Sequence, residues 1–569
     1  MDTLLHIHSF PLFVRMLRFS LRFSRTYPET YSWSRGDNDM DEKGLRMRFR
    51  NENTFFRANQ KGISELVHTR YERALRRVEQ TLGDEIYNYI NGVWKRARER
   101  PFEDRFPGDL SILNHTFQSS SPTDVRLAIS SAKSSFKFWR TVDYLDRCEI
   151  FDRAAAIMSK RKYELAAIVT LENGKNRFEA MADVDEAIDF LRYYSYQMKL
   201  NKGYSHEMPP AFPNERPRNL LRPFGVWGVV SPFNFPMAIM AGMSTGAMIT
   251  GNTVVVKPAS DAPWPAFVFA SILEEAGLPP GVFNVVTGSG KRIGGEILRS
   301  PEVSGFVFTG SRSVGLSAMK IFHKKMPRPF IAEMGGKNAV IVTSKADLQE
   351  AVEGVGRAAF GYGGQKCSAC SRALVERSIF YDFVRSLKDW TEGLIVGDPR
   401  ERKTYLGPLI NRAAVRKYVR CCRSARAAGK ILFGGELLHP DGLEGYYVAP
   451  TIVTNLKKDH PLVVNELFLP FVCVIPINSL EQGIRIANSS EYGLTSGLMS
   501  HDESEIARYM DEIEAGTIYA NRRTGASTAA MVGSQPFVGW KMSSTTWKAA
   551  GGMYYLPQFM REQSQTRCV

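Results

Sequence analysis

The sequence predicts an α/β protein built on two parallel sheets, and three observations lead there. Short β-rich runs at residues 226–230, 253–256, 282–286 and 303–308 are separated by helical stretches such as 266–276, the alternation that builds βαβ units. A second alternation of the same kind runs from residue 339 to about residue 498. The 569 residues also exceed what one hydrophobic core supports, so more than one folding unit is needed.

The elements follow in chain order. Arg15, Arg18, Arg22 and Arg25 recur every three or four residues among Leu, Phe and Met, so a helix here would carry one basic stripe, as mitochondrial transit peptides do. Residues 37–42 are acid-rich and Met40 and Met47 offer later starts, so the competing reading is a stretch with no role in the fold. A charged helical pattern covers residues 64–82, and residues 100–109 read as a linker. From residue 123 to 202 apolar side chains recur at helical spacing, which predicts two or three amphipathic helices. Residues 223–256 contain no charged side chain, a length that would span a bilayer. Pro232, Asn234, Pro236, Thr245 and several glycines interrupt that run, so it reads as strand, loop and buried helix, and no membrane association is expected. Residues 553–566 read as an extended segment suited to pairing with another sheet or subunit.

Composition narrows the function classes. With 44% hydrophobic and 23% charged residues, 46 Gly and 29 Pro, the chain is neither disordered nor collagen-like. Seven cysteines, an odd number in so long a chain, argue against a secreted disulfide framework and for a reducing compartment. The net charge of +15 invites a nucleic-acid reading, but the first 100 residues carry 19 Lys and Arg against 13 Asp and Glu, and the remaining excess is spread over the rest of the chain. No nucleic-acid partner is expected.

Four motifs carry chemistry. The strand ending at Thr309 runs into GSRSVG (310–315), where glycines at a strand-to-helix turn let backbone N–H groups approach a phosphate. It is neither G-x-G-x-x-G nor a P-loop, so taken alone it is structural or cofactor-binding with equal warrant. Cys367 lies in GGQKCSACSR (363–372) beside Lys366 and ahead of a helical pattern, a setting in which helix dipole and cation favour a thiolate nucleophile. Taken alone it reads first as a buried thiol. Cys367 and Cys370 form a single C-x-x-C, and no H-E-x-x-H is present, so no metal is expected. Glu333 sits in IAEMGGKN (331–338), an apolar, Gly-rich strand end where desolvation would raise its pKa toward that of a general base; the alternative is a Glu satisfied by backbone N–H groups. Asn234, in SPFNFP (231–236), is an amide in an apolar run, which either bonds backbone or points an N–H into a site.

Together, SPFNFP, VVVKPAS (254–260), FTGSRSVG (308–315), EMGGKNA (333–339) and GGQKCSACSR, in this order and spacing, resemble the aldehyde dehydrogenase superfamily from about residue 48 to the C-terminus. QKCSAC (365–370), the helix from Glu186 to Arg192 and the tail YYLPQFMREQS (554–564) are most similar to its Δ1-pyrroline-5-carboxylate dehydrogenase branch. The resemblance implies an NAD(P)-dependent oxidation of L-glutamate γ-semialdehyde to glutamate. Cys367 would be the nucleophile, Asn234 an oxyanion donor and Glu333 the base that activates water. The cofactor NAD would lie against Ser231, Pro232 and Phe233, with Lys257 and Ser260 at the adenosine ribose. Gly310, Ser311 and Gly315 would lie near the pyrophosphate, and Glu333, Gly335, Glu466 and Phe468 near the nicotinamide side. Substrate residues implied are Glu186, Arg192, Phe235, Lys366, Ser368 and Phe537, with Ala529 and Ala530 in a loop that anchors a carboxylate.

The implied organisation is a Rossmann-type parallel-sheet cofactor domain at residues 48–335, a second α/β catalytic domain at 336–545 and a small β oligomerisation arm. The arm would combine a hairpin near 205–221 with the tail strand at 546–569, preceded in the chain by an extension at 1–47. A homo-oligomer, at least a dimer, is implied, and the cytoplasm, or the mitochondrial matrix if the arginine stripe is a transit peptide. The sequence also departs from the family pattern. Ser260 replaces a Glu that would repel a 2′-phosphate, which admits NADP, and Leu469, Ala529, Val538, Met542, Ser544 and Trp547 stand where Gly is expected. A side chain at a positive-φ glycine costs roughly 1 kcal/mol or more. Two further readings follow from these changes: oxidation of another semialdehyde, or a non-catalytic dinucleotide-binding relative.

Overall fold

Helices between residues 121 and 200 are set by their caps. The computed structural model describes residues 49–440, 442–523 and 531–569, so residues 1–47 with their arginine stripe, and Ala529 and Ala530, lie outside the described residues. Ser121 and Asp124 form a reciprocal capping box ahead of the helix Pro122–Trp139, with proline in the first turn, where its missing N–H costs nothing. Asp143 caps Tyr144–Asn173, which stops at Gly174 in the left-handed conformation (φ 74°). A Cβ at Gly174 would sit 2.5 Å from Pro408, so glycine is required there on both counts. Asn176 then starts Arg177–Leu200 by accepting from the Phe178 and Glu179 N–H groups. Three helices thus form in the region predicted to hold two or three.

The first alternation builds a seven-stranded sheet. Phe330–Glu333, Val303–Thr309, Val226–Val230, Thr253–Lys257 and Phe283–Val285 lie in that spatial order, all parallel, with Asn88–Ile90 and Val93–Lys95 adding an antiparallel edge. Chain order reverses between Val226–Val230 and Val303–Thr309. Such a switch point opens a crevice beyond the C-terminal strand ends, where α/β sheets bind their ligands. The uncharged run resolves as Val226–Val230, the buried helix Ala238–Ile249 and Thr253–Lys257. Among the described residues, no helix is long and apolar enough to cross a membrane.

A second seven-stranded sheet orders Lys430–Phe433, Thr451–Thr454, Phe471–Ile477, Cys370–Glu376, Asn338–Val342, Thr495–Met499 and Thr517–Ala520, parallel apart from the first pair. Apolar clusters fill both of its faces, one around Ile341, Leu374 and Ile475, the other around Val340, Val375 and Phe383. The tail strand Met560–Cys568 pairs antiparallel with Glu215–Pro223 over its whole length, and Ser205–Glu207 completes this small third sheet. Residues 100–109 are not only a linker: Phe102–Arg105 pairs with Leu113–Phe117. Only Asp104 of that strand is buried, so it offers no apolar alternation to read.

Gly305 stands opposite Trp227 in the parallel ladder. The indole is fully buried, its ring centre 4.7 Å from that of Phe559, and a Cβ on Gly305 would fall 2.4 Å from it. Neither strand has room to yield, so Gly305→Ala is expected to destabilise the protein by about 1–3 kcal/mol through overpacking. A lowered thermal midpoint checks this.

Candidate active site

The site forms where strand ends of the two sheets meet. Thr309 and Glu333 end parallel strands of the first sheet, and Asn338 and Thr495 begin strands of the second. Only Met334–Lys337 separates Glu333 from Asn338. Cys367 lies three residues before Cys370–Glu376. Thr309, Glu333, Cys367 and Ser368 share the walls of one cavity of about 1450 Å³, which Glu186, Phe235, Lys366 and Phe537 also line.

The Cys367 loop is fixed from several sides. Tyr362, Gly363 and Gly364 are all left-handed (φ 49°, 59° and 66°), and a Cβ on Gly364 would lie 2.1 Å from the Leu469 carbonyl oxygen. Asn338 Nδ2 donates to the carbonyls of Cys367 (2.8 Å) and Ala369 (2.9 Å), and Thr495 Oγ1 donates to that of Ser368 (3.2 Å). Asn338 was visible in the motif but not as a clamp, because its partners lie about thirty residues away.

The expected thiolate setting is corrected by this geometry. The residues after Cys367 form a central buried strand, not a helix, so no dipole serves the sulfur. Lys366 Nζ is committed to Glu179, at 2.6 Å. Burial, with the charges of Glu466 and Glu333 adding to it, pushes the Cys367 thiol up to about 12. The group rests as a thiol, and to act as a nucleophile it would have to give up that proton.

Glu333 meets the expectation of a desolvated carboxyl. Burial raises its pKa to about 8, opposed by a hydrogen bond from Ser544 Oγ to its Oε1 at 2.9 Å, while its Oε2 is buried without a partner. Its carboxylate fraction therefore grows as pH rises through about 8. Glu466, raised by burial to about 7, accepts the Gly336 N–H at 3.0 Å. Gly335 (φ 88°) leaves only 2.5 Å between a built Cβ and that carboxylate.

Glu186 lines the same cavity on the helix Arg177–Leu200; burial, then neighbouring Asp183, raises it to about 8. Phe235 carries the buried Lys175 ammonium 3.7 Å from its ring centre, and Lys175 pairs with Asp183 at 3.1 Å. Nothing in the sequence marked Lys175 or Glu179. Arg192 is not a wall of the cavity: Glu52 holds its Nη1 at 2.5 Å. Asn234 is buried and, like Arg192, is not a wall of the cavity.

The residues expected at a dinucleotide gather at the switch point. Ser231 N donates to the Lys257 carbonyl at 3.3 Å, and Lys257, lowered by burial to about 8, donates to the Pro258 carbonyl at 2.7 Å. Ser260 Oγ reaches the Gly288 carbonyl at 3.3 Å, and Pro232 is half-buried beside Phe233. Ser311 precedes the helix Arg312–Phe322. A built Cβ on Gly310, in the turn, would lie 2.6 Å from the Phe308 ring, and one on Gly315, inside the helix, 2.6 Å from the Met334 sulfur. Phe468 (φ 59°) meets Phe233 edge-on with ring centres 5.7 Å apart. Of the described positions expected to be glycine, only Trp547 has positive φ (52°); Leu469, Val538, Met542 and Ser544 do not, so those four side chains carry no left-handed strain.

Residues 94–564 match the aldehyde dehydrogenase family. The chain is 38% identical over 500 residues to the 1-pyrroline-5-carboxylate dehydrogenase of Bacillus cytotoxicus, covering 87% of this chain and 95% of that one. Against the enzyme of the same name from Geobacillus sp. (strain WCH70) it is 36% identical over 492 residues, 85% of this chain and 94% of the other. The crystal structure of 1-pyrroline-5-carboxylate dehydrogenase from Thermus with bound NAD superposes with a TM-score of 0.86 at 33% identity, covering 92% of this chain and 99% of that chain. Fold, site and sequence agree: the chain belongs to the aldehyde dehydrogenase family.

Proposed function

We propose that the chain oxidises L-glutamate γ-semialdehyde, the open form of 1-pyrroline-5-carboxylate, to glutamate with NAD(P)⁺. The observation that carries this is the shared cavity in which Glu333 keeps one carboxyl oxygen unpartnered beside the Cys367 loop. Cys367 Sγ, its proton passed to water, attacks the aldehyde carbon to give a thiohemiacetal oxyanion, with the Asn234 amide and the Cys367 N–H holding that oxygen. A bound dinucleotide would supply the acceptor for the hydride, and the chain's own part is to hold the thioester that remains on Cys367. Glu333 then takes a proton from the water that attacks the thioester carbonyl; the C–S bond breaks, the sulfur regains its proton and glutamate leaves.

The residues present fit a dinucleotide. The turn at Gly310 and Ser311, which opens the helix holding Gly315, lies at the switch point with Ser231 and the Lys257 ammonium, where backbone can approach a pyrophosphate. Glu466 and Phe468 would flank the nicotinamide side. Ser260 leaves no carboxylate to repel a 2′-phosphate, which supports use of NADP as well as NAD. On the substrate side, Glu186 would face the ammonium, Phe235, Ser368 and Phe537 would shape the cavity, and the loop holding Ala529 and Ala530 would take the α-carboxylate. Lys366 and Arg192 already have carboxylate partners, which favours positioning over direct contact.

We assign residues 48–335 to the cofactor domain and 336–545 to the catalytic domain, with the cytoplasm as the place of action. Met560–Cys568 is a nine-residue edge strand, exposed over most of its length, and such edges invite pairing. This supports a homo-oligomer built through the arm.

Three outcomes are expected. Initial rates with glutamate, succinate and simple aliphatic semialdehydes or aldehydes, each with NAD⁺ or NADP⁺, should show highest kcat/KM for glutamate semialdehyde and turnover with both cofactors; absence of NAD(P)H from every pair refutes the assignment. Glu186→Ala should raise KM for glutamate semialdehyde by about tenfold, the worth of one ion pair near 1.4 kcal/mol, and leave a simple aliphatic aldehyde unaffected. Alkylation of Cys367 by iodoacetamide in the cofactor-free protein should climb with pH without a plateau below about pH 10, since the thiol is raised to about 12. Peptide mapping against Cys367→Ala isolates that site from exposed Cys568.

A further inference from the structure

We infer that Ser544 is a positioning residue for Glu333: its hydroxyl commits one oxygen of that carboxylate and leaves the other free for the hydrolytic water. The inference rests on the role proposed for Glu333 above and assigns a function to a position where the family pattern has glycine, which has no hydroxyl to donate.

The geometry fixes both the place and the direction of this hydrogen bond. Residues 543–545 extend the edge strand that Glu333 ends: Met334 N donates to the Ser543 carbonyl (2.8 Å), Thr545 N to the Ala332 carbonyl (3.1 Å), and Ala332 N to Thr545 Oγ1 (2.9 Å). Ser544 and Glu333 are thereby bridged antiparallel, and Ser544 is 3% exposed. Ser544 Oγ accepts from the N–H groups of Thr546 (3.4 Å) and Trp547 (3.3 Å). With its acceptor side so engaged, the hydroxyl turns its proton to Glu333 Oε1, 2.9 Å away. The left-handed Trp547, the one described non-glycine at an expected glycine with positive φ, sits in the turn that supplies one of those N–H groups. The two departures from the family pattern thus form one device.

The titratable groups that face Glu333 are the Cys367 thiol and the Tyr555 phenol. Burial raises both, so both are neutral from about pH 6 to 9 and do not mask the effect. A donor to the carboxylate favours its charged form, so removing the hydroxyl moves Glu333 ionisation to higher pH.

Hydrolysis of p-nitrophenyl acetate, which needs no cofactor, tests this. Cys367 Sγ bonds to the acetyl carbon and p-nitrophenolate leaves, giving a burst; water then cleaves the thioester to acetate and free thiol, setting the steady rate. In Ser544→Ala the burst amplitude should be kept while the steady rate at pH 7 falls about tenfold and its acid limb moves up by about one pH unit, the two enzymes converging at high pH. Ser544→Thr should restore the wild-type profile, and Ser544→Gly, which adds no bulk, should repeat the alanine result. An alanine or glycine profile that overlays wild type, with Glu333→Gln inactive in the steady phase, overturns this inference alone. A steady rate in Glu333→Gln equal to wild type overturns the role of Glu333 and the inference with it.

Discussion

The four-residue crossing from Glu333 to Asn338 is the constraint on which the site depends. It carries the chain from the last strand of one sheet to the first strand of the other, and at its two middle residues it passes through a gap with no room for a Cβ. A Cβ on Gly336 would lie 2.6 Å from the Cys367 carbonyl, and one on Gly335 only 2.5 Å from Glu466. Because both are glycine, Asn338 can reach the Cys367 carbonyl, and Gly336 can donate to Glu466. One short stretch of backbone therefore sets Glu333, the Cys367 loop and Glu466 in register with one another.

Burial then decides the chemistry. Glu333, Glu186 and Glu466 are all raised, to about 8, 8 and 7, and Cys367 to about 12, so the cofactor-free site holds much of its acid in protonated form near neutral pH. A site of this kind favours ligands that bring positive charge, which suits an ammonium-bearing aldehyde. Two of the cations nearby are spoken for: Lys175 by Asp183, Lys366 by Glu179. They hold walls in place and leave the nucleophile to be activated by a base.

Much of the fold was legible because it rests on local patterns. The β-rich runs became Val226–Val230, Thr253–Lys257 and Val303–Thr309, and the glycine turn after Thr309 does open a helix. What failed to show depends on contacts distant in sequence. The residues from Cys370 onward look helical but are paired on both sides in the middle of a sheet, and that pairing overrides propensity. Arg192 was expected at substrate, yet its partner Glu52 lies 140 residues away. The missing glycines suggested a strained, failing enzyme, but strain requires positive φ, and only Trp547 among the described positions has it. In the sequence Ser544 is only a side chain where glycine is expected, whereas its hydroxyl is what reaches Glu333.

In the proposed mechanism Cys367 carries the acyl group and Glu333 releases it. Intact-mass and peptide mapping of Glu333→Gln, mixed with glutamate semialdehyde and NAD⁺ and quenched in acid, test it most directly. An acyl adduct on Cys367 is expected to accumulate with one equivalent of NADH per site. An unmodified Cys367 after sustained NADH production, or an adduct on another residue, would contradict it.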